Sequence, residues 1–253
     1  MYYKQASTLT HSILKIMKRN KEITIFSTFT KDKIIDEQGT IMKEEIGGPA
    51  FYLSNVFTKE DILFNLVTGP VMEIEVLMTE SGEVGKVNKK SKIRKIDFSK
   101  VKTPFIAIST ILKDFDLINI FSFKGKIFLD IQGYVRDGTK LGGKQHWIPS
   151  KKIMSSIFCL KGTEEEIKYI SPSFIEQQKQ KTMIITKGSL GCDVFVNNKK
   201  YMIKPQKQIS ILNTIGAGDT FFAYLITHFL KGTELLESAE YAVNKTSDFL
   251  IRR

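Results

Sequence analysis

The string Asn213-Thr214-Ile215-Gly216-Ala217-Gly218-Asp219-Thr220-Phe221 holds the residues best spaced for chemistry. The apolar positions 221, 222, 225, 226, 229 and 230 fall on one face at helical spacing. They predict a helix from Asp219 to Leu230, which Gly232 can stop. A strand-like stretch, Gln208 to Leu212, precedes it. Gly216, Ala217 and Gly218 therefore sit at a helix N-terminus. Small residues there let backbone N–H groups approach an anion, and the helix dipole favours negative charge. Asp219, in the first helical turn, stands beside that anion hole. A carboxylate so placed can take a proton from an alcohol as the alcohol attacks phosphorus. The competing reading is a plain cap, since Asp is common in the first turn of any helix.

Four further segments carry polar or glycine clusters at the ends of expected elements. Thr186-Lys187-Gly188-Ser189-Leu190-Gly191 follows the apolar run Met183-Ile184-Ile185. It reads as a buried strand running into a glycine turn at the carboxyl edge of a sheet, where open α/β folds bind ligands; a hairpin turn into Asp193 to Val196 fits equally. Gly47-Gly48-Pro49-Ala50 opens another helix, and two glycines leave room for a ligand against bare backbone. Phe128 to Arg136 is a strand ending in polar residues, where Arg136 can reach a phosphate with its planar fork or pair with Asp130. Thr163-Glu164-Glu165-Glu166 follows the run Ser156 to Leu160, and its acids also suit the first turn of a helix.

The elements that must position these residues alternate. Strands are expected at Ile23 to Phe29, Ile62 to Val67, Val71 to Thr79, Phe105 to Ser109, Lys126 to Ile131, Ser156 to Leu160 and Thr182 to Thr186. Helices are expected at Gly48 to Phe57, Thr163 to Ile170, Ser173 to Lys179, Asp219 to Leu230 and Glu234 to Ile251. Short buried strands alternating with helices in the second half argue for a mostly parallel sheet covered on both faces. The first half differs: Val71 to Val87 alternates around Ser81-Gly82-Glu83, a hairpin signal. With Lys33 to Ile46 it predicts a small antiparallel flap.

The whole is 253 residues, 42% apolar and 26% charged, which excludes disordered, collagen-like and coiled-coil chains. No apolar run approaches the roughly 18 residues of a membrane span. Two isolated cysteines, Cys159 and Cys192, argue against a disulfide scaffold and for a reducing cytosol. The net charge of +11 attracts polyanions without choosing among them. The basic stretch Lys86 to Lys102 reads as a solvated loop or strand edge, because no aromatics interleave as a single-strand binder needs. Residues 1–22 are basic and hydroxyl-rich, read as a short amphipathic helix, with an organellar transit peptide as the minor alternative.

The Gly-Ala-Gly-Asp string resembles the C-terminal signature of the ribokinase-like sugar kinases, the pfkB carbohydrate kinase family, and the likeness extends from about residue 23 through most of the chain. It implies a ribokinase-like three-layer α/β/α sandwich with a mostly parallel sheet and a small β lid. Residues 1–22 would be an N-terminal extension, 23–253 the kinase domain, and 33–46 with 71–96 the lid. The resemblance makes Gly216, Ala217 and Gly218 the anion hole and Asp219 the base. It puts Thr186, Lys187, Gly188 and Gly191 at ATP, with Asn244 and Arg136. It gives Asp32, Gly47 and Gly48 to the substrate, Asp36 being the fallback for Asp32. Glu166 takes the place of a glutamate tied to Mg²⁺ through water, with Thr163 where Asn is usual.

The forms Gly47-Gly48-Pro49-Ala50-Phe51-Tyr52 and Asp130-x-Gln132-Gly133-x-x-Arg136 are similar to inositol kinases and their archaeal relatives. The resemblance thus implies a cytoplasmic ATP-dependent kinase for a small sugar or polyol, myo-inositol-like by preference. A nucleoside or other sugar kinase is the first alternative. A non-catalytic kinase-like protein docking nucleic acid or a protein through its basic face is the second. Two departures stand out. Asn213 replaces an Asp that often belongs to a monovalent cation site in the family. The lid is trimmed, which excludes water less well unless a homodimer partner helps.

Overall fold

The strand-like runs come together in a computed structural model that describes residues 22–252 apart from 80–81, 88–91, 140–141, 208, 210 and 212. In chain order its strands are β1 (Glu22–Ser27), β2 (Thr30–Ile35), β3 (Ile41–Gly47), β4 (Leu63–Thr68), β5 (Met72–Thr79), β6 (Gly82–Val87), β7 (Arg94–Lys95), β8 (Phe105–Ser109), β9 (Phe115–Asp116), β10 (Lys126–Asp130), β11 (Cys159–Thr163), β12 (Thr182–Thr186), β13 (Cys192–Val196) and β14 (Lys199–Ile203). An eight-stranded sheet runs β14-β13-β12-β11-β10-β8-β1-β4. From β12 to β4 every pairing is parallel, and the β12-β13-β14 edge is antiparallel.

Alternation along the strands builds two cores, one on each face. Ile23, Ile25, Ala107, Phe128, Cys159 and Ile184 point to the side covered by the helices Pro49–Lys59, Ala217–Leu230 and Leu235–Ile251. Phe26, Ile106, Ile108, Ile127, Leu129 and Leu160 point to the other side, covered by the short helices Gln132–Val135 and Lys151–Ser156 and by Pro172–Lys179. This is the three-layer α/β/α sandwich of the ribokinase fold.

A second sheet, β3-β2-β5-β6, forms the lid. Its outer pairs are antiparallel, but β2 and β5 run parallel, because the Pro49–Lys59 helix and β4 intervene between them. The sheet is mixed rather than the antiparallel flap expected. Residues Thr30, Asp32 and Ile34 of β2 lie beside Met72, Ile74 and Val76 of β5 and are buried. The apolar members of this inner face pack on Ile111 and Leu112, just past β8, with Ile215 alongside. The lid therefore closes over the carboxyl ends of the main strands.

Several expected boundaries move. β2 starts at Thr30, so Asp32 lies within a lid strand rather than in a loop after β1. The lid's far end is Val87, and Arg94–Lys95 pairs instead with Phe115–Asp116. Arg94 is half-buried rather than fully solvated: its guanidinium lies 4.4 Å over the Phe115 ring and donates to the Thr68 carbonyl. The run Ser156 to Leu160 is split, because Ser150 caps a helix that continues to Ser156 and the strand begins at Cys159. The helix expected from Thr163 to Ile170 ends at Ile167, and Ile170 instead bridges to Trp147. Ile209 and Ile211 are not in a strand, and the rest of the expected Gln208 to Leu212 element lies outside the described residues, as does the helix expected near the N-terminus.

Candidate active site

Four strands of the main sheet turn from apolar to polar at the same level. On the face covered by the Ala217–Leu230 helix, Ile25, Ala107, Phe128 and Cys159 are each followed two residues later by Ser27, Ser109, Asp130 and Lys161. Register aligns these into one row: Ser27 pairs with Ser109, Leu129 with Ile108, and Asp130 with Lys161. The Ser27 hydroxyl donates to the Ser109 carbonyl at 2.6 Å. The Lys161 ammonium donates to Asp130 Oδ2 at 2.8 Å, with both side chains almost wholly buried.

Asp219 docks on this row. Gly216 caps the helix with a left-handed backbone (φ 78°), and Asp219 lies buried in the first turn. Any side chain at 216 would collide with the Tyr52 ring, so only glycine fits both the dihedral and the contact. The Ser109 hydroxyl sits 3.3 Å from Asp219 Oδ1 and 3.2 Å from Asp130 Oδ2. A Cβ on Gly218 would stand 3.2 Å from Lys161 Nζ, which puts the ammonium directly under the first helical turn.

Burial pushes the Asp219 carboxyl up to about 7; the Lys161 charge opposes this, Asp130 adds to it, and Arg136 and the Ser109 hydroxyl oppose it. Burial also disfavours the Lys161 ammonium, but the Asp130, Glu166 and Asp219 carboxylates outweigh that and hold it above the ordinary lysine value. In the turn itself, the Ala217 N–H donates to the Thr214 carbonyl at 2.9 Å. Asn213 Oδ1 accepts from the Ile215 N–H at 3.2 Å, an Asx turn that shapes the approach to Gly216.

Arg136 makes no ion pair with Asp130 among the described residues; that carboxylate pairs with Lys161. Glu166 is buried in a capping box: its Oε2 accepts the Thr163 N–H at 2.9 Å while Thr163 Oγ1 accepts the Glu166 N–H at 3.1 Å. Among the described residues no three His, Cys, Asp or Glu side chains gather to hold a metal. The donor set suits Mg²⁺ only as a hydrated ion carried by phosphates, which needs one or two carboxylates from the protein.

The Thr186 to Gly191 segment is indeed a hairpin connection, between β12 and β13. Gly188 and Gly191 take positive φ (57° and 90°), and Lys187 pairs with Asp193 at 2.8 Å and with Glu164 at 3.3 Å. Asn244 Oδ1 accepts from the Gln206 N–H at 3.1 Å, so this side chain fastens the loop after β14.

On the lid, a side chain at Gly47 would strike the Asp32 carboxylate, and Thr30 Oγ1 is buried beside it with no hydrogen-bond partner among the described residues. Glu45 stands opposite Asp32 in the register and pairs with Lys43 at 2.5 Å. Gly48 (φ 82°) caps the Pro49–Lys59 helix, and a side chain there would strike the Thr28 carbonyl and Thr30. Asp36 is not near this group: its carboxylate accepts the Gln38 and Thr40 N–H groups in an exposed turn.

Sequence reasoning overlooked Ser27, Ser109 and Lys161, and named Tyr52 only within a longer motif. A polar residue two places after an inward apolar one, at or near the end of each strand, is the signal that marks the first three.

A buried carboxylate at a glycine-rich helix start thus faces a lid across the carboxyl ends of a parallel sheet. Residues 146–247 match the model of the pfkB family carbohydrate kinases. A Pyrococcus horikoshii protein provisionally named a sugar kinase is 33% identical over 85 residues, 33% of this chain and 27% of that one. The match thus spans about a quarter of the length of that relative. Among solved structures, a pyrophosphate-dependent kinase of the ribokinase family, complexed with a pyrophosphate analogue and myo-inositol, is similar with TM-score 0.67 and 16% identity, covering 90% of this chain and 95% of that one. The nucleoside kinase of Methanocaldococcus jannaschii, an archaeal member of the same family, has TM-score 0.70 and 15% identity, with 91% and 92% covered.

Proposed function

We propose that the protein transfers a phosphoryl group to a hydroxyl of a small sugar or polyol, with Asp219 as the general base. The observation that carries this is the placement of Asp219: buried, in the first turn of a helix capped by left-handed Gly216, and hydrogen-bonded to the polar row of the sheet. The acceptor's O–H bond breaks to Asp219 as its oxygen bonds phosphorus and the bond from phosphorus to the donor's bridging oxygen breaks. Amides of the Gly216-Ala217-Gly218 turn stabilise charge on the transferring group. Ala217 must release the Thr214 carbonyl to take part, so Gly216 and Gly218 are the better-placed donors.

Asp32 on the lid accepts hydrogen bonds from acceptor hydroxyls, with the unpartnered Thr30 hydroxyl and the bare backbone of Gly47 and Gly48 beside it. Thr186, Lys187, Gly188 and Gly191 border the donor, and Arg136 faces its phosphates. Mg²⁺, when bound, neutralises those phosphates, and Glu166 would accept from its water shell.

Myo-inositol is the favoured acceptor and ATP the favoured donor. The inositol complex of a similar fold supports the first and also makes pyrophosphate a donor to test. The decisive experiment offers the purified chain ATP or pyrophosphate with Mg²⁺ and each of inositol, ribose, fructose, ketodeoxygluconate, adenosine and cytidine. Phosphorylation of a polyol or sugar, lost in Asp219→Asn, is the expected result. Preference for adenosine or cytidine would move the reading to a nucleoside kinase. No turnover on any pair, with a salt-dependent shift of DNA, would replace it with a binding protein.

A further inference from the structure

Lys161 is the most completely buried ammonium in the described site, at 2% exposure. A buried ion pair is a poor stabiliser, and apolar residues of similar volume often do as well. Here the pair is also open. Asp130 Oδ2 takes one Lys161 proton at 2.8 Å and the Ser109 hydroxyl approaches the same oxygen at 3.2 Å, while Oδ1 accepts the Gln132 N–H at 3.2 Å. Ser109 reaches Asp219 as well, at 3.3 Å. The ammonium meanwhile lies against Gly218, at the positive end of the Ala217–Leu230 helix. Two positive ends face each other there, and only an anion between them makes the arrangement favourable. Asp219 is the protein's own anion at that point.

We propose that Lys161 is a positioning residue of the transfer site: its ammonium, clamped by Asp130, sets whether Asp219 is ionised and so the pH at which the site can accept a proton. The groups facing Asp219 are Asp130 from β10, Lys161 from β11, Ser109 from β8 and Arg136 beyond the Gln132–Val135 helix. Glu166 acts on both members of the Asp130–Lys161 pair. Lys161 and Arg136 favour the carboxylate, and Asp130 opposes it, with Lys161 the largest of the three. The same ammonium lies against Gly218 in the first helical turn.

The proposal rests on Asp219 as the base, and its test is chosen to read the carboxyl without turnover. Aspartate carboxyl ¹³C signals are titrated by NMR in the full chain, with Asp219 assigned by the signal missing in Asp219→Asn. Lys161→Met should raise the Asp219 midpoint by at least about one pH unit, Asp130→Asn should lower it, and Lys161→Arg should restore it nearly to wild type. Should Lys161→Met fail to fold, Asp130→Asn decides by itself: a lowered midpoint supports the proposal and an unmoved one overturns it. Midpoints that stay within about 0.3 unit in both charge-removing variants reduce the pair to a structural contact. The acid limb of kcat/KM, measured on the same variants, separates the two readings. A limb that follows the NMR midpoint upholds both, whereas a moving midpoint with a fixed limb upholds the Lys161 assignment and removes Asp219 as base.

Discussion

Asp219 at the carboxyl end of the main sheet and Asp32 on the lid are both buried carboxylates, held in opposite fashion. Asp219 sits on a helix start locked by Gly216 against Tyr52, over a row of side chains from four parallel strands. Asp32 sits on a four-stranded sheet whose outer strand β3 stands largely in solvent, with Ile41, Met42 and Ile46 at 54%, 68% and 52% exposed. The first setting fixes its dipoles and charges before any ligand arrives, as electrostatic stabilisation of a transition state requires. The second has fewer neighbours behind it and is drawn from the part of a fold that opens at lower cost. The proposed function thus puts chemistry on the more enclosed element and recognition on the more exposed one.

The largest effects should come from the rigid side. Asp219→Asn should lower kcat at least ~10²-fold with the far-ultraviolet circular dichroism unchanged. Gly216→Val should lose activity to a similar extent and also melt lower, because it meets both the positive φ and the Tyr52 ring. A Gly216→Val enzyme with normal turnover would show that the turn is not preorganised at all.

A pH series sharpens the contrast. An unfolded Asp titrates near ~3.9, while burial raises Asp219 to about 7. The folded chain therefore holds this proton more tightly. Its contribution to stability is complete below pH ~4 and is lost as pH rises through about 7. Thermal melts should accordingly place Asp219→Asn above wild type at pH 8, with the gap closing toward pH 4. Wild-type kcat/KM should climb with pH up to about 7 and then level, since the base must be ionised.

On the lid, Asp32→Asn should raise the acceptor KM roughly 10-fold or more while kcat changes far less, the loss expected from charge-assisted hydrogen bonds of about 1.5–3 kcal/mol. An equal fall in kcat would mean that the lid takes part in chemistry. The smallest effect belongs to the outer strand, where Met42→Lys should change stability by within about 0.5 kcal/mol in chemical denaturation.

Much of this division was legible in the amino-acid string. Phe105 to Ser109 and Thr182 to Thr186 were bounded correctly because β-branched and apolar residues there meet polar stops. Helical spacing after Asp219 located the Ala217–Leu230 helix to within two residues. The glycine turn at the start of that helix was visible because small residues directly precede the helical spacing. What stayed hidden depends on register. Ser109, Asp130 and Lys161 become neighbours only when β8, β10 and β11 align, and no local pattern states that alignment. Lys161, which directly follows the apolar run Ile157 to Leu160, was passed over for that reason. The Ser156 boundary failed because a cap at Ser150 outcompetes the strand propensity of the following residues. Asp32 was assigned by its distance from the first strand, and the immediate start of β2 after Phe29 placed it in a sheet instead.

The contact between Gly216 and Tyr52 joins positions far apart in the chain. A fragment beginning at residue 146 would retain every residue of the family match, including the whole glycine turn. It would nonetheless lose the aromatic wall behind Gly216, the Ser109 hydroxyl, and the carboxylate that neutralises Lys161. The family's hallmark segment is thus not a transplantable module, and splitting or grafting this protein there would sever the turn from what gives it its shape.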